Sequence, residues 1–461
     1  MIRIDVLPDE ILLAIFGHYM DELQNSKKGI EAWQSLVHVC RSWRRVVWGS
    51  PHRLDLQLVC TPATPAKDTL DAWPPLPLLI QGAISSTSSV DSIVVALGRS
   101  SRICSIELYG FSGWQLEKVL SAMQQPFPEM VYLLLHCEEE TAPVILDSFM
   151  SGSAPRLRYL ELERIPFPRL PKLLLSATLL IELHLSIIPH SGYISPEAMV
   201  TGLSMLTSLE TLSLQFHSPR SHPDWEGQPP PPTTRSVLPT LMYFRFKGVN
   251  EYLEDLVARI DAPRLNGLDV TFFNQIDFDT PLLAQFISRT PTFKAPNETS
   301  VFFHESAVRV TLLSPTAISE GSEGPNIAIS CRESDWQLSS LAQVCASSVP
   351  LLSTVEKLYI QSVPWPGPWN NGIENILWLE FLRSFTALKI LHIDGELTSI
   401  TSTLQELGGR MTEVLPTLQN INISRMTSST TTRGSRFTGA SRSSKPRFER
   451  TFPRHSSHTS I

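Results

Sequence analysis

One short phrase recurs through most of this chain and restricts what it can fold into. An apolar residue, two variable positions, a second apolar residue, one variable position and a third apolar residue occur at Ile103/Ile106/Leu108, Met130/Leu133/Leu135, Leu157/Leu160/Leu162, Leu180/Leu183/Leu185, Leu209/Leu212/Leu214, Leu241/Phe244/Phe246 and Leu265/Leu268/Val270. The phrase returns at Val355/Leu358/Ile360, Leu388/Leu391/Ile393 and Leu418/Ile421/Ile423. Copies start 27, 27, 23, 29, 32 and 24 residues apart in the first series and 33 and 30 in the last, the regularity of a repeated structural unit.

The spacing has a mechanical meaning. The second and third apolar residues of a phrase are two apart, so on a short strand both point to one side and are buried, while the positions beside them face outward. Successive strands stack in parallel, and each needs a return segment. Amphipathic stretches suited to that role lie at Leu116/Val119/Leu120/Met123, Met199/Val200/Leu203, Tyr252/Leu253/Leu256/Val257/Ile260 and Leu282/Leu283/Phe286/Ile287. Ser195-Pro196 and Thr280-Pro281 supply a helix cap followed by proline. The pattern predicts an α/β chain with strands on one side and helices on the other.

The first fifty residues read differently. Pro8 suits a helix start, and Asp9 and Glu10 place negative charge at the positive end of the helix dipole. Ile11, Leu12, Ile15, Phe16 and Tyr19 then form one apolar stripe. Trp33, Leu36, Val37, Cys40, Trp43, Val46 and Val47 repeat that spacing and predict a second helix, ended by Ser50-Pro51. The stripes alone fit any amphipathic hairpin. Leu-Pro-x-Glu-Ile at 7–11, followed about thirty residues later by Val39-Cys40-Arg41-x-Trp43, resembles an F-box, the helical module that docks a substrate receptor on a Skp-type adaptor of a cullin-based ubiquitin ligase. The linking segment, Asp21 to Glu31, is longer and more polar than in compact members of that family. By that resemblance the adaptor-binding residues are Leu7, Pro8, Ile11, Leu12, Ile15, Leu36, Val39 and Trp43.

The repeated phrase resembles the leucine-rich-repeat part of F-box receptors, which implies a small N-terminal helical module followed by a curved solenoid. Three residues after the last strand leucine, where that family carries Asn or Cys, stand Phe111, Ile165, Ile188, His217, Val249, Phe273, Val363 and Met426, so packing must hold the arc and the solenoid is expected to be irregular. The expected organisation is an F-box-like module at 1–50, a repeat region at 51–426 and a disordered basic tail at 427–461. Two loop insertions are expected, near 218–236 with Pro229 to Pro232, and at 290–334, where a strand-like Ala307–Leu312 precedes Ser319 to Pro325.

The tail holds Arg433, Arg436, Arg442, Lys445, Arg447, Arg450 and Arg454 against Glu449, a balance of +6 that leaves −13 on the rest of a chain of net charge −7. Rich in Ser and Thr and poor in aliphatic residues, it cannot offset the entropy of ordering. Nuclear import, phosphorylation and weak RNA contact are possible uses of such a tail, as is none, and nucleic acid is not the expected partner. The start lacks a signal-peptide pattern, and even the apolar stretch Leu173 to Ile188 is interrupted by Glu182 and His184, so no membrane partner and a cytoplasmic or nuclear location are expected. Cys40, Cys60, Cys104, Cys137, Cys331 and Cys345 are scattered, which points to reduced, mostly buried thiols rather than disulfides or a zinc site. No nucleophile elbow, phosphate loop or metal-binding histidine pair is present in the sequence, so neither cofactor nor enzyme activity is expected.

Function is then expected on outward strand positions. The phrase puts Tyr159, Glu161 and Glu163 there, followed by Glu182 and His184, then Tyr243, Arg245 and Lys247, and later Tyr359, an acidic group preceding a basic one. The resemblance implies a substrate-recognition adaptor that carries an unknown protein target to the ligase. The alternative is a leucine-rich-repeat scaffold outside any ligase, whose N-terminal helices merely close one end. A closing helix pair would bury Leu7, Ile11 and Trp43, whereas a docking module leaves part of the stripe exposed.

Overall fold

The structure, a computed structural model, describes residues 7–23, 32–51, 53–63, 66–84, 86–139, 141–219, 235–275, 278–293, 296–313, 324–331, 334–348, 350–362, 374–394, 398–407 and 411–424. All belong to one unit spanning Met1–Arg425. The expected disordered tail, the proline run at 229–232 and the polar linker beyond Leu23 lie outside the described residues.

Every copy of the phrase forms a strand. They are β3 (Ile103–Phe111), β4 (Tyr132–Cys137), β5 (Tyr159–Glu163), β6 (Glu182–Ile188), β7 (Thr211–Phe216), β9 (Tyr243–Gly248), β11 (Gly267–Phe273), β15 (Lys357–Ser362), β16 (Ile390–Asp394) and β17 (Asn420–Ser424). Phrase positions align across the sheet. Leu133, Leu160, Leu183, Leu212, Phe244 and Leu268 are successive register partners, and each is buried. A row of identical slots therefore becomes a continuous apolar ridge, each member packing on the one before and the one after.

Two further strands, β1 (Leu58–Cys60) and β2 (Leu78–Ala83), extend the sheet at its start. The short pair β8 (Ser236–Val237) and β10 (Ile260–Asp261) forms a separate ladder. The 290–334 stretch differs from expectation. Instead of a loop holding one strand, it contributes β12 (Glu298–His304), β13 (Ala307–Leu313) and β14 (Asn326–Ser330), inserted in the order β11-β14-β13-β12-β15. Alternation explains it: Thr299, Val301 and Phe303 are buried while their neighbours are not, the period of a strand. β13 runs antiparallel to both of its neighbours, and the other pairings of the large sheet are parallel.

Parallel neighbours demand crossovers, and helices supply many of them. They include α4 (Ala66–Ala72), α5 (Thr87–Leu97), α6 (Gly113–Ala122), α7 (Leu170–Leu174), α8 (Pro196–Leu203), α9 (Asn250–Ala258), α10 (Pro281–Arg289), α11 (Ser334–Ser348), α12 (Glu374–Leu382) and α13 (Thr398–Leu407). The result is a mixed α/β architecture with a large, mostly parallel sheet. Ser195 caps α8 as expected, accepting from the Ala198 amide at 3.3 Å. Thr280 makes no cap to α10. Glu254 of α9 does that work from the neighbouring layer, accepting from the Leu282 and Leu283 amides at 2.8 and 2.7 Å. Burial pushes the Glu254 carboxyl up to about 7, with Asp279 adding to the rise and the two amides opposing it.

Apolar side chains fill several of the turn positions that lack Asn or Cys, whereas His217 is exposed. Phe111, Ile165 and Ile188 are buried, whereas Val249 and Phe273 are half-buried and Val363 and Met426 lie outside the described residues. Cys60, Cys137, Cys331 and Cys345 are buried, and burial raises the thiol pKa of Cys137 and Cys345. Among the described residues no helix is long and apolar enough to cross a membrane.

At the N-terminal end α1 (Asp9–Leu23) starts one residue after Pro8, whose carbonyl accepts from the Ile11 and Leu12 amides. The single second helix expected from the stripe is two helices, α2 (Ala32–Val39) and α3 (Arg41–Gly49). Cys40 divides them. Its backbone is extended, and its sulfur accepts from the Trp43 amide at 3.5 Å, capping α3. An extended cap leaves the apolar spacing intact, so periodicity alone does not reveal the break.

Candidate interaction surfaces

The helical module has two unlike sides. On α1, Leu12, Leu13, Phe16 and Met20 are buried, and Phe16 meets Trp43 of α3 at 4.7 Å between ring centroids. From α2, Trp33 is fully buried and ties the module to the sheet, donating Nε1–H to the Gln57 carbonyl at 2.9 Å and meeting Trp73 edge-on at 5.1 Å. The other side is open. Ile11, Ile15 and Tyr19, spaced four apart and hence aligned along the helix, are 49%, 47% and 36% exposed, and Val39 at the end of α2 is 58% exposed.

The eight residues singled out by resemblance therefore divide. Ile11, Ile15, Val39 and Pro8 are exposed, and Leu7 and Trp43 are half-buried against the core. Leu12 and Leu36 are not surface residues; they are buried in the same core as Trp33 and Phe16 and support the face from beneath. Tyr19 and Trp48 are also exposed on this module but are not among the eight. Tyr19 continues the Ile11/Ile15 line at the same interval and was legible for that reason. Trp48, 39% exposed with the Arg44 guanidinium 5.9 Å from its ring, has no counterpart in the motif.

The second surface is the sheet face opposite the buried leucines. Register places Tyr132, Tyr159 and Glu182 in one row, Leu134, Glu161, His184, Ser213 and Arg245 in a second, and His136, Glu163 and Ser186 in a third. Five expected residues, Tyr159, Glu161, Glu163, Glu182 and His184, thus come together on β5 and β6. The Tyr132 and Tyr159 rings stack at 4.3 Å and the Tyr159 and His184 rings meet at 5.4 Å. Tyr159 is 4% exposed, so it supports its neighbours instead of offering a contact of its own.

Hydrogen bonds knit this face. The Tyr159 hydroxyl donates to Glu161 and the Tyr109 hydroxyl to Glu107. His184 Nε2 lies 3.0 Å from Glu182 Oε2. His136 Nε2 lies 3.4 Å from Glu163 Oε1, within ion-pair reach but without hydrogen-bond geometry. Burial, reinforced by the adjacent carboxylates, holds the Tyr109, Tyr132 and Tyr159 phenols well above their usual range. Glu107, Tyr109, Tyr132 and His136 extend the group, filling the same outward phrase slots on β3 and β4.

Tyr243, Arg245 and Lys247 form their own group on β9, beyond β7. The expected basic character is reduced at Arg245, which pairs with Asp269 at 3.1 Å, while Lys247 lies 5.7 Å from the Phe273 ring, a contact that leaves its charge in place. Tyr359 is remote, separated from β9 by β11 to β14, and stacks on His392 at 4.6 Å. Register neighbours rather than sequence order decide which outward residues meet.

Among the described residues no group of three or more His, Cys, Asp or Glu side chains is placed to hold a metal ion. No family model and no curated protein matches the chain.

Proposed function

We propose that this chain is a non-catalytic substrate adaptor of a cullin-type ubiquitin ligase, in which an F-box-like helical module docks a Skp-type adaptor and an irregular leucine-rich-repeat-like solenoid holds a target protein. Target lysines would meet the ligase-bound ubiquitin conjugate at raised effective concentration, and the transfer chemistry would belong to other subunits. The observation that carries the reading is the line Ile11, Ile15 and Tyr19, which stays between about a third and a half exposed on a helix whose opposite side is anchored in the core. Exposed branched aliphatics aligned on one helix form an apolar stripe that a partner covers. A second reading, a repeat scaffold closed by these helices, draws support from buried Trp33 and its bond to Gln57.

Calorimetric titration of the full chain with purified Skp adaptor separates the two. The adaptor reading predicts saturable binding that Ile11→Glu together with Ile15→Glu weakens by at least about a hundredfold, since each change removes apolar burial and forces a charge into the interface. Absence of binding by folded wild type, or indifference to the double substitution, refutes it.

A further inference from the structure

We propose that the outward face of β3–β6 docks a basic, arginine- or lysine-bearing segment of the target, an inference that rests on the adaptor role proposed above. Charge complementarity and ring geometry carry it together. Elsewhere on the same sheet face carboxylates meet cationic side chains: Asp269 pairs with Arg245 and Glu298 with Lys357. On β5 and β6 the partners of Glu161, Glu163 and Glu182 are instead a phenol and two imidazoles. Phenol donation to Glu161 stabilises its ionised form without cancelling its charge.

The setting strengthens those charges. The Glu163 and Glu182 side chains keep only 29% and 23% of their exposure, so a cation arriving there meets them through a partly dehydrated medium. Beside the carboxylates the half-buried Tyr132 ring, held in place by its stack on buried Tyr159, presents an aromatic surface that attracts a guanidinium or ammonium group, with the His184 ring tilted against the other side of Tyr159. Parallel strands spaced about 4.8 Å apart carry this combination across β3 to β6, a width of roughly 14 Å that suits an extended segment of four or five residues. An acidic target segment would meet like charge.

Fluorescence anisotropy of the full chain with a short labelled peptide of alternating Arg and Ser tests the inference, with a Glu/Ser peptide for comparison. We expect salt-sensitive binding of the Arg peptide, weakened roughly tenfold by Glu161→Gln with Glu182→Gln and about threefold by Tyr132→Leu. The control pair Asp91→Asn with Glu129→Gln makes the same change in net charge at carboxylates that meet Lys118 and Arg156. It should alter binding less than about twofold. Equal losses in the two double variants, comparable binding of the Glu peptide, or no binding of the Arg peptide overturns the inference. Adaptor titration on the same preparations keeps the questions apart: adaptor binding retained without peptide binding refutes this inference and leaves the helical module's role intact.

Discussion

Leu183→Ala in β6 and Ile421→Ala in β17 alter the same slot of the repeated phrase, yet they should differ in cost by about 2 kcal/mol. Leu183 is 0% exposed between its register partners Leu160 and Leu212. Truncation removes three buried carbons, about 2.4 kcal/mol of transfer free energy at about 0.8 kcal/mol each. A residual void of roughly 50 Å³ adds about 1.2 kcal/mol at about 24 cal/mol per Å³, for a total of about 3.5 kcal/mol. Ile421 is already 39% exposed on the terminal strand, so the same three carbons lose roughly 1.5 kcal/mol and leave a notch open to water instead of a void. Urea unfolding followed by far-UV circular dichroism measures both through the midpoint and slope. Equal costs would show that Ile421 is as well covered as Leu183, and a Leu183→Ala cost below about 1 kcal/mol would show that the phrase does not set the core.

Other consequences follow from the same geometry. Phe16→Ala should cost about 3 to 4 kcal/mol, because the ring is fully buried against Trp43, whereas Ile15→Ala next to it should cost less than about 1 kcal/mol; thermal unfolding of the two variants checks the contrast. Glu254, with a folded carboxyl pKa of about 7 against an ordinary 4.5, holds its proton more tightly when folded. Its contribution to stability is therefore greatest below pH 4.5 and declines as pH rises to about 7, a loss of about 2 kcal/mol after allowing for partial solvent access. Glu254→Gln should flatten that slope between pH 5 and 8 in urea titrations, and an unchanged slope would mean that the cap is ionised throughout.

The strands were legible because their signal is local and repeated. Leu157, Leu160 and Leu162 announce β5 by spacing alone, and register then follows from stacking like on like. β1 and β2 were not legible, since Leu78-Leu79-Ile80 is a continuous apolar run without the phrase. β12 and β14 escaped for a related reason: pairing by insertion, with β13 reversed, joins segments whose partnership depends on contacts across the sheet rather than on period. The cap on α10 could not be read locally either, because its acceptor, Glu254, lies on another helix 28 residues earlier.

Candidate sites divided along the same line. The phrase placed Glu161 and His184 outward, but only register brings them side by side, and only stacking shows that Tyr159 is covered by its neighbours. In the helical module, periodicity named the residues of α1 without saying which side faces out. Leu12 and Ile11 are adjacent in sequence and opposite in role, a distinction set by where Trp33, Phe16 and Trp43 pack.

Hydrogen–deuterium exchange of the full chain with and without purified Skp adaptor shows which surface the adaptor covers. New protection should be confined to α1–α3, around the Ile11, Ile15, Tyr19 and Val39 side, with the outward face of β3–β6 left unchanged and available for a target. Protection centred on the sheet face, or none on the helices at saturating adaptor, would contradict the adaptor role.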